Sequence, residues 1–193
     1  MLFVDQCRYT LLGIEQEQQN SVGHIVESTY PSGMSELNKL VCNKKYDFII
    51  ISFACFILLN TSRMINEIIS RNSTIKVIVL SAMNWPDAKK PLKLSDNIYL
   101  AGRGDLPAMF KLYREGLLEK YLLAGSRFLC SPQEEKVLNM MVCENKTSVI
   151  CEQLKINRKT ISSHLGNVKR KISARSNQQI LHAYIIKHVF LNL

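Results

Sequence analysis

The sequence predicts two domains: an α/β domain with a parallel sheet, followed by a small all-α domain of four helices that contains a helix-turn-helix. Three observations lead to this prediction. Up to residue 122, short apolar runs alternate with helical patterns. Residues 123–130 lose both periodicities and contain a Gly-Ser pair, while residues 131–193 show helical patterns alone. We therefore expect domains at 1–122 and 131–193, joined by a linker at 123–130.

The first domain is expected to contain five strands that alternate with helices. Apolar runs predict strands at 2–4, 24–28, 48–51, 76–80 and 98–100. Amphipathic patterns predict helices at 10–20, 35–43, 62–71 and 106–123. Pro86 and Pro91 interrupt the segment after the fourth strand, so that any helix there must be short or irregular. Strands that alternate with helices imply a parallel sheet covered on both sides.

Positive charge is concentrated in the last third of the 193 residues. From Ser126 onward the sequence holds eleven Lys and Arg against four Asp and Glu, a difference of +7, whereas the preceding part has fourteen against twelve, a difference of +2. This asymmetry favours a polyanionic partner for the last third alone. A merely solvated basic surface is the alternative.

Cysteine usage and hydropathy predict a cytoplasmic protein without metal, cofactor or membrane partner. The cysteines form no CxxC pair and show no Cys/His spacing suited to zinc. Asp5 follows the N-terminus at once and no basic leader precedes it, so we expect no signal peptide. The longest apolar run, 48–59, is broken by Ser52 and is too short to span a bilayer.

The second domain begins with a strong helix-start signal. Ser131 can cap the helix, Pro132 suits its first position, and Glu134 completes a capping box. A second helix begins at Thr147, and after a turn at Lys155 and Ile156 the side chain of Asn157 can cap a third.

The third helix is predicted to have two distinct faces. Apolar residues spaced four, three and four apart form one buried stripe: Ile161, Leu165, Val168 and Ile172. Small, polar or basic residues occupy the complementary face: Ser162, Ser163, Gly166, Asn167, Lys169 and Arg170. A fourth helix, 177–189, carries Ile180, Leu181, Tyr184 and Ile185. A short-chained basic helix of this kind can enter a DNA major groove.

The runs 131–138, 150–154, 159–164 and 171–172 together resemble the LuxR/FixJ-type helix-turn-helix family. The resemblance implies base-reading positions at Ser162, Ser163 and Gly166, with Asn167 and Arg170 near that surface. It also implies contacts with the DNA backbone from four residues of the third helix: Lys159, Thr160, Lys169 and Lys171. Asn157, which caps that helix, is counted among the DNA-binding residues. For His164, packing or a phosphate contact is expected, with a switching role as the alternative. The sequence departs from the family at Glu144, where a glycine is usual, and at Cys151, where an alanine is usual.

The order of strands and helices in the first domain resembles a response-regulator receiver domain, which has a flavodoxin-like fold. That family places an acidic pair after the first strand, a phosphoryl-accepting aspartate after the third, a Ser or Thr after the fourth and a lysine after the fifth. The corresponding positions hold Asp5, Ser52, Ser81 and Arg103. Because the aspartate is missing and one carboxylate makes a poor Mg²⁺ site, we expect a degenerate receiver that is not phosphorylated. Asp5 is then expected to be a turn or capping residue, and Ser81 a hydrogen-bonding group at a strand end.

These features predict a sequence-specific, DNA-binding transcriptional regulator and not an enzyme, because no Ser-His-Asp set, carboxylate pair or Gly-rich phosphate loop is present. Its partners would be double-stranded DNA and either a second copy or, as an auxiliary subunit, a related LuxR-type regulator. Tyr184 and Ile185 are candidates for a dimer surface, with a place in the domain core as the alternative. Two other functions compete: a phosphorylation-switched regulator, and a modulator that sequesters a partner through its receiver-like domain.

Overall fold

The computed structural model describes residues 1–19, 27–29, 39–41, 44–52, 54, 62–83, 90–143 and 145–191. These residues form a seven-stranded sheet of order β2-β1-β3-β4-β6-β5-β7. Its strands are β1 (Leu2–Val4), β2 (Glu27–Thr29), β3 (Phe48–Ser52), β4 (Lys76–Ser81), β5 (Leu92–Lys93), β6 (Ile98–Gly102) and β7 (Ser126–Arg127). All neighbouring pairs are parallel except β5 and β6, which confirms the predicted parallel sheet.

The helices of the first domain largely follow the predicted pattern. They are α1 (Arg8–Gln19), α2 (Ser62–Arg71), α3 (Leu106–Arg114) and α4 (Leu118–Leu123), with a short 3₁₀ helix at Arg103–Asp105. The single helix predicted at 106–123 is wrong, since Gly116 has a φ of 69° and breaks it into α3 and α4. Most of the helix predicted at 35–43 lies outside the described residues, as do residues 24–26 of the second predicted strand.

The sheet has one apolar core on each face. Alternate residues point to opposite sides, so that Val4 and Val79 pack in the core that includes Ile65 of α2. Phe3 and Ile78 pack in the other core, beside α1 and α3. All of these side chains are buried, and each contributes about 1.5–3 kcal/mol on removal from water.

The predicted linker contains an ordered strand. β7 pairs with β5 in parallel, and the Phe128 amide donates to the Lys93 carbonyl at 2.9 Å. Gly125 permits this approach, because a Cβ at that position would collide with the carbonyl oxygen of Pro91. A two-residue strand is too short to leave a periodic signal, which is why the sequence indicated only a linker.

The second domain consists of four helices: α5 (Pro132–Val142), α6 (Thr147–Leu154), α7 (Arg158–Lys171) and α8 (Asn177–Leu191). Its core is formed by buried side chains from all four, among them Val137, Ile150, Leu165 and Ile180. The four-helix prediction is therefore confirmed. Among the described residues, none of the helices combines the length and apolar character that crossing a bilayer requires.

Candidate nucleic-acid interface

Helix α5 is held at its start by the predicted capping box. Ser131 Oγ accepts from the Glu134 amide at 3.3 Å, and Glu134 Oε2 accepts from the Ser131 amide at 2.7 Å. Pro132 occupies the first turn. Two orphan amides are thus satisfied, which fixes the end of α5 nearest the linker.

The turn between α6 and α7 uses two different devices. Lys155 ends α6 in the left-handed region, with φ 54° and ψ 42°. Asn157 then caps α7: its Oδ1 accepts from the Thr160 amide at 2.8 Å and from Thr160 Oγ1 at 3.0 Å. Asn157 and Thr160 therefore set where α7 begins, in addition to any contact they make with a partner.

Helix α7 presents a polar face to solvent. Its buried stripe is the predicted one: Ile161, Leu165, Val168 and, at the C-cap, Ile172. On the remaining surface the exposed predicted residues are Lys159, Ser162, Ser163, Arg170 and Lys171, while Thr160, His164, Gly166, Asn167 and Lys169 are half-buried. A Cβ added to Gly166 would meet no atom within 4 Å, so the protein's own packing does not require glycine there.

Two of the basic residues of α7 are already engaged. Arg170 Nη2 donates to Asn167 Oδ1 at 2.6 Å, one turn earlier on the helix. Lys171 Nζ lies 2.6 Å from Glu134 Oε2, and the glutamate side chain is almost completely buried. Burial alone would raise the pKa of Glu134. The hydrogen bonds from Lys171 and the Ser131 amide together lower that pKa by more than burial raises it, so the pKa lies below its ordinary value. Lys171 thus joins α7 to the cap of α5, a structural role that the sequence pattern did not indicate.

The fourth helix corrects part of the predicted dimer surface. Tyr184 is 1% exposed, donates from its hydroxyl to Asn139 Oδ1 at 2.8 Å, and packs edge-on against Phe128. The prediction that Tyr184 contributes to a dimer surface is therefore wrong, because its side chain is used within the chain. Ile185 is 40% exposed and remains a candidate. Glu144 lies outside the described residues, and Cys151 packs half-buried against the core.

The degenerate receiver site lies at the carboxyl ends of the parallel strands. Asp5, which is 1% exposed, accepts from Arg103 Nη2 through Oδ2 at 2.7 Å and from the Cys7 amide through Oδ1 at 3.1 Å. Asp5 therefore closes a turn through the Cys7 amide, and Arg103 supplies its counter-charge. Ser52 is buried at the end of β3. Among the described residues there is no group of three His, Cys, Asp or Glu that could hold a metal ion.

Ser81 has a partner that sequence reasoning missed. Its Oγ accepts from the Met83 amide at 3.0 Å and lies 2.9 Å from Nε2 of His182, a residue of α8. The two residues are 101 positions apart, so no local pattern could have indicated the contact. Ser81 therefore forms hydrogen bonds at the end of β4, and one of them reaches the other domain.

A receiver-like sheet followed by a capped helix-turn-helix with a polar recognition helix defines a two-domain transcriptional regulator of the LuxR type. Residues 129–184 match the family described as bacterial regulatory proteins of the luxR family. Residues 1–114 match the N-terminal dimerisation domain of the transcriptional regulator RcsA. Because this second match covers more than half of the chain, the protein belongs to the RcsA family of transcriptional regulators.

Known RcsA proteins are similar to this chain over nearly its whole length. RcsA of Pantoea stewartii subsp. stewartii is 25% identical over 191 residues, which cover 94% of this chain and 90% of the relative. RcsA of Escherichia coli O157:H7 is 25% identical and covers 100% of this chain and 98% of its own length. RcsA of Klebsiella aerogenes is 27% identical, with coverages of 94% and 90%. Residues 5–10, 160–164 and 166–172 of this sequence also look most like RcsA, and these matches confirm that resemblance.

Solved structures with the same two-domain fold include DNA complexes of RcsB. RcsB from Salmonella enterica serovar Typhimurium bound to promoter P1flhDC has a TM-score of 0.59 at 18% identity, covering 95% of this chain and 96% of that one. A structure of two RcsB dimers bound to two parallel DNAs has a TM-score of 0.58 at 16% identity, with the same coverages. At these identities the likeness establishes the fold alone.

Proposed function

We propose that this transcriptional regulator binds duplex DNA by inserting the exposed face of α7 into the major groove. The observation that carries the proposal is the division of α7 into a buried apolar stripe and an exposed face of short polar and basic side chains. Ser162 and Ser163 would meet base edges, and Gly166 would allow the helix to approach closely. Lys159, Lys169 and Arg170 would bind phosphates and fix the register.

The small number of base-reading side chains on α7 favours binding as a dimer over binding as a single domain. Serine hydroxyls bond several base edges, so a single domain discriminates poorly, and non-specific DNA binding is weak, with a Kd of about 10⁻⁴ to 10⁻⁶ M. Two half-sites joined through a dimer raise the affinity through effective concentration. The description of the matched N-terminal domain as a dimerisation domain supports this step, as does the dimeric, DNA-bound state of RcsB. The partner is a second copy or a related LuxR-type regulator.

Regulation is proposed to be independent of phosphorylation. Ser52 stands where a receiver has its phosphoryl-accepting carboxylate, and a serine hydroxyl cannot form an acyl phosphate. Arg103 places a guanidinium against Asp5, where a phosphorylated receiver needs carboxylates free to hold Mg²⁺. Incubation with Mg²⁺ and a small phosphodonor should leave the intact mass unchanged, whereas a gain of one phosphoryl group would contradict the proposal.

Fluorescence anisotropy with labelled DNA tests the interface directly. The triple variant Lys159→Ala, Lys169→Ala and Arg170→Ala should bind about 10² to 10³ times more weakly, with a salt slope that is lower by about one for each phosphate that the variant no longer binds. Its matched control removes two lysines and one arginine from the receiver-like domain: Lys111→Ala, Arg114→Ala and Lys120→Ala. Equal losses of affinity in the two triple variants would reduce the effect to net charge and contradict a specific role for α7.

A modulator that sequesters a partner is the second candidate. The exposed side chains of Tyr9 and Leu12, which lie one turn apart on α1, favour a protein-binding surface on the first domain. The same triple variant of α7 separates the two functions in cells. Regulation that survives the loss of DNA binding would favour sequestration.

A further inference from the structure

The connection between β4 and β6 is unusual for parallel neighbours. These strands lie side by side in parallel, with Val79 opposite Leu100. A crossover between parallel strands usually carries a helix that covers one face of the sheet. In the described part of this connection, residues 82–83 and 90–97, there is no helix: the chain forms turns and the two-residue strand β5.

The sheet face beside this connection is nevertheless buried. Val77, Val79, Ile98 and Leu100 are at most 2% exposed. They belong to one continuous cluster of packed apolar residues that extends into the second domain and includes Ile180 and Ile186 of α8. Helix α8 also packs against α2, and both helices cover the same face of the sheet. Helix α8 thus lies where a crossover helix would be expected.

A part-buried hydrogen bond fixes α8 at this place. Ser81, the last residue of β4, is 0% exposed, and its Oγ lies 2.9 Å from His182 Nε2. A serine hydroxyl has one donor and two lone pairs, so Oγ can accept from the Met83 amide and still bond the imidazole. Removing either side chain while α8 stays in place would leave the other polar group without its partner, which costs more than the bond itself contributes.

We propose that α8 is shared between the two domains: it replaces the crossover helix that the described β4–β6 connection does not supply, and the Ser81–His182 hydrogen bond latches it there. In this closed arrangement α7 keeps its polar face exposed. The hydroxyl at the end of β4 is therefore used to join the domains. The helix-turn-helix is held in a fixed orientation relative to the receiver-like domain without any covalent modification.

Proteolysis of the linker can show whether α8 remains packed against the first domain. Phe128 lies between the domains, where its ring packs edge-on against Tyr184 and lies under Lys187 Nζ at 5.3 Å. Arg127 precedes it in β7 and is exposed. Because β7 is paired with β5, trypsin can cleave after Arg127 only when β7 has separated from β5. The rate at which fragments 1–127 and 128–193 appear therefore measures how often the two domains come apart at the linker. The measurement does not depend on DNA binding, and a negative result would leave the proposed function intact.

A double-mutant cycle in the full chain tests the latch. Ser81→Ala and His182→Ala should each raise the cleavage rate roughly fivefold to tenfold, and the double variant should cleave no faster than the faster single variant. Ser52→Ala is the matched control, since it removes a buried hydroxyl from the end of the neighbouring strand, and it should cleave near the wild-type rate. Effects that multiply in the double variant, or singles that match the control, would overturn the proposal.

A second pair of variants covers the case in which Ser81→Ala does not fold. His182→Gln retains a side-chain amide that can reach Ser81, whereas His182→Ala does not. Slow cleavage of the glutamine variant with fast cleavage of the alanine variant supports the latch. Equal rates for the two would show that packing alone holds α8 and would overturn the role of the hydrogen bond.

Discussion

Arg103 and Asp5 form an ion pair at the carboxyl edge of the sheet, with Arg103 Nη2 2.7 Å from Asp5 Oδ2 although the residues are 98 positions apart. The carboxylate is almost completely buried, while the arginine side chain is 40% exposed. A positive group contributed by the chain itself thus balances the acid that a phosphorylated receiver would use to hold a cation.

Removing Arg103 should destabilise the first domain. Arg103→Ala would leave Asp5 buried without a counter-charge, and we expect a loss of about 1–3 kcal/mol in the free energy of unfolding, less than for a fully buried pair because the guanidinium is partly solvated. Urea unfolding measures the change. Arg127→Ala is the control, since its bond to Asp96 is long and exposed. Similar losses in both variants would mean that the Arg103–Asp5 pair contributes no more to the free energy of unfolding than an exposed ion pair does.

Gly166→Ala should separate folding from DNA binding. The added methyl group meets open space, and alanine is the better helix former, so the free energy of unfolding should rise by up to about 1 kcal/mol. The same methyl group would stand on the surface proposed to face the groove, and DNA affinity should fall at least several-fold. Anisotropy and urea titrations on the same preparation check both effects. Tighter or unchanged binding would exclude Gly166 from the interface.

Lys155 carries backbone strain that a glycine would relieve. Its φ of 54° places the backbone of Lys155 in the left-handed region. There the Cβ crowds the following carbonyl oxygen, which costs an ordinary residue roughly 1–2 kcal/mol. Lys155→Gly should raise the free energy of unfolding by about 0.5–1 kcal/mol, after allowance for the greater freedom of glycine in the unfolded chain. Lys155→Val should lower it, because a β-branched side chain fits this region worst. A destabilised glycine variant would contradict this account of the turn.

Stability should fall as the solution becomes acidic. Burial lowers the pKa of His182 below the ordinary value of 6.5, and burial also lowers the pKa of His188, although Glu135 opposes that shift. As the pH falls, the unfolded chain takes up these protons at a higher pH than the folded chain does. The contribution of the two neutral histidines to folding stability is therefore complete above about pH 6.5, and it is lost as the pH falls through their lower pKa values in the folded state. Thermal unfolding between about pH 7.5 and 5.5 measures the slope. His182→Gln should flatten this dependence of stability on pH.

The sequence by itself determined most of the local structure. Apolar runs located β1, β3, β4 and β6, the spacing of Ile161, Leu165 and Val168 oriented α7, and Ser131 and Asn157 marked where two helices begin. These signals are readable because each depends on residues a few positions apart: side-chain direction repeats every two or 3.6 residues, and a cap bonds amides within its own first turn.

The tertiary structure alone decided which distant groups meet. It paired Arg103 with Asp5 and Lys171 with Glu134 and placed Ser81 against His182. It also put Tyr184 in the core, which was one of the two places that the apolar pattern of α8 left open. The physical reason is that periodicity identifies which face of a helix is apolar but not what covers it, and that a contact between residues a hundred positions apart leaves no trace in the local sequence. The shared position of α8 belongs to this second group.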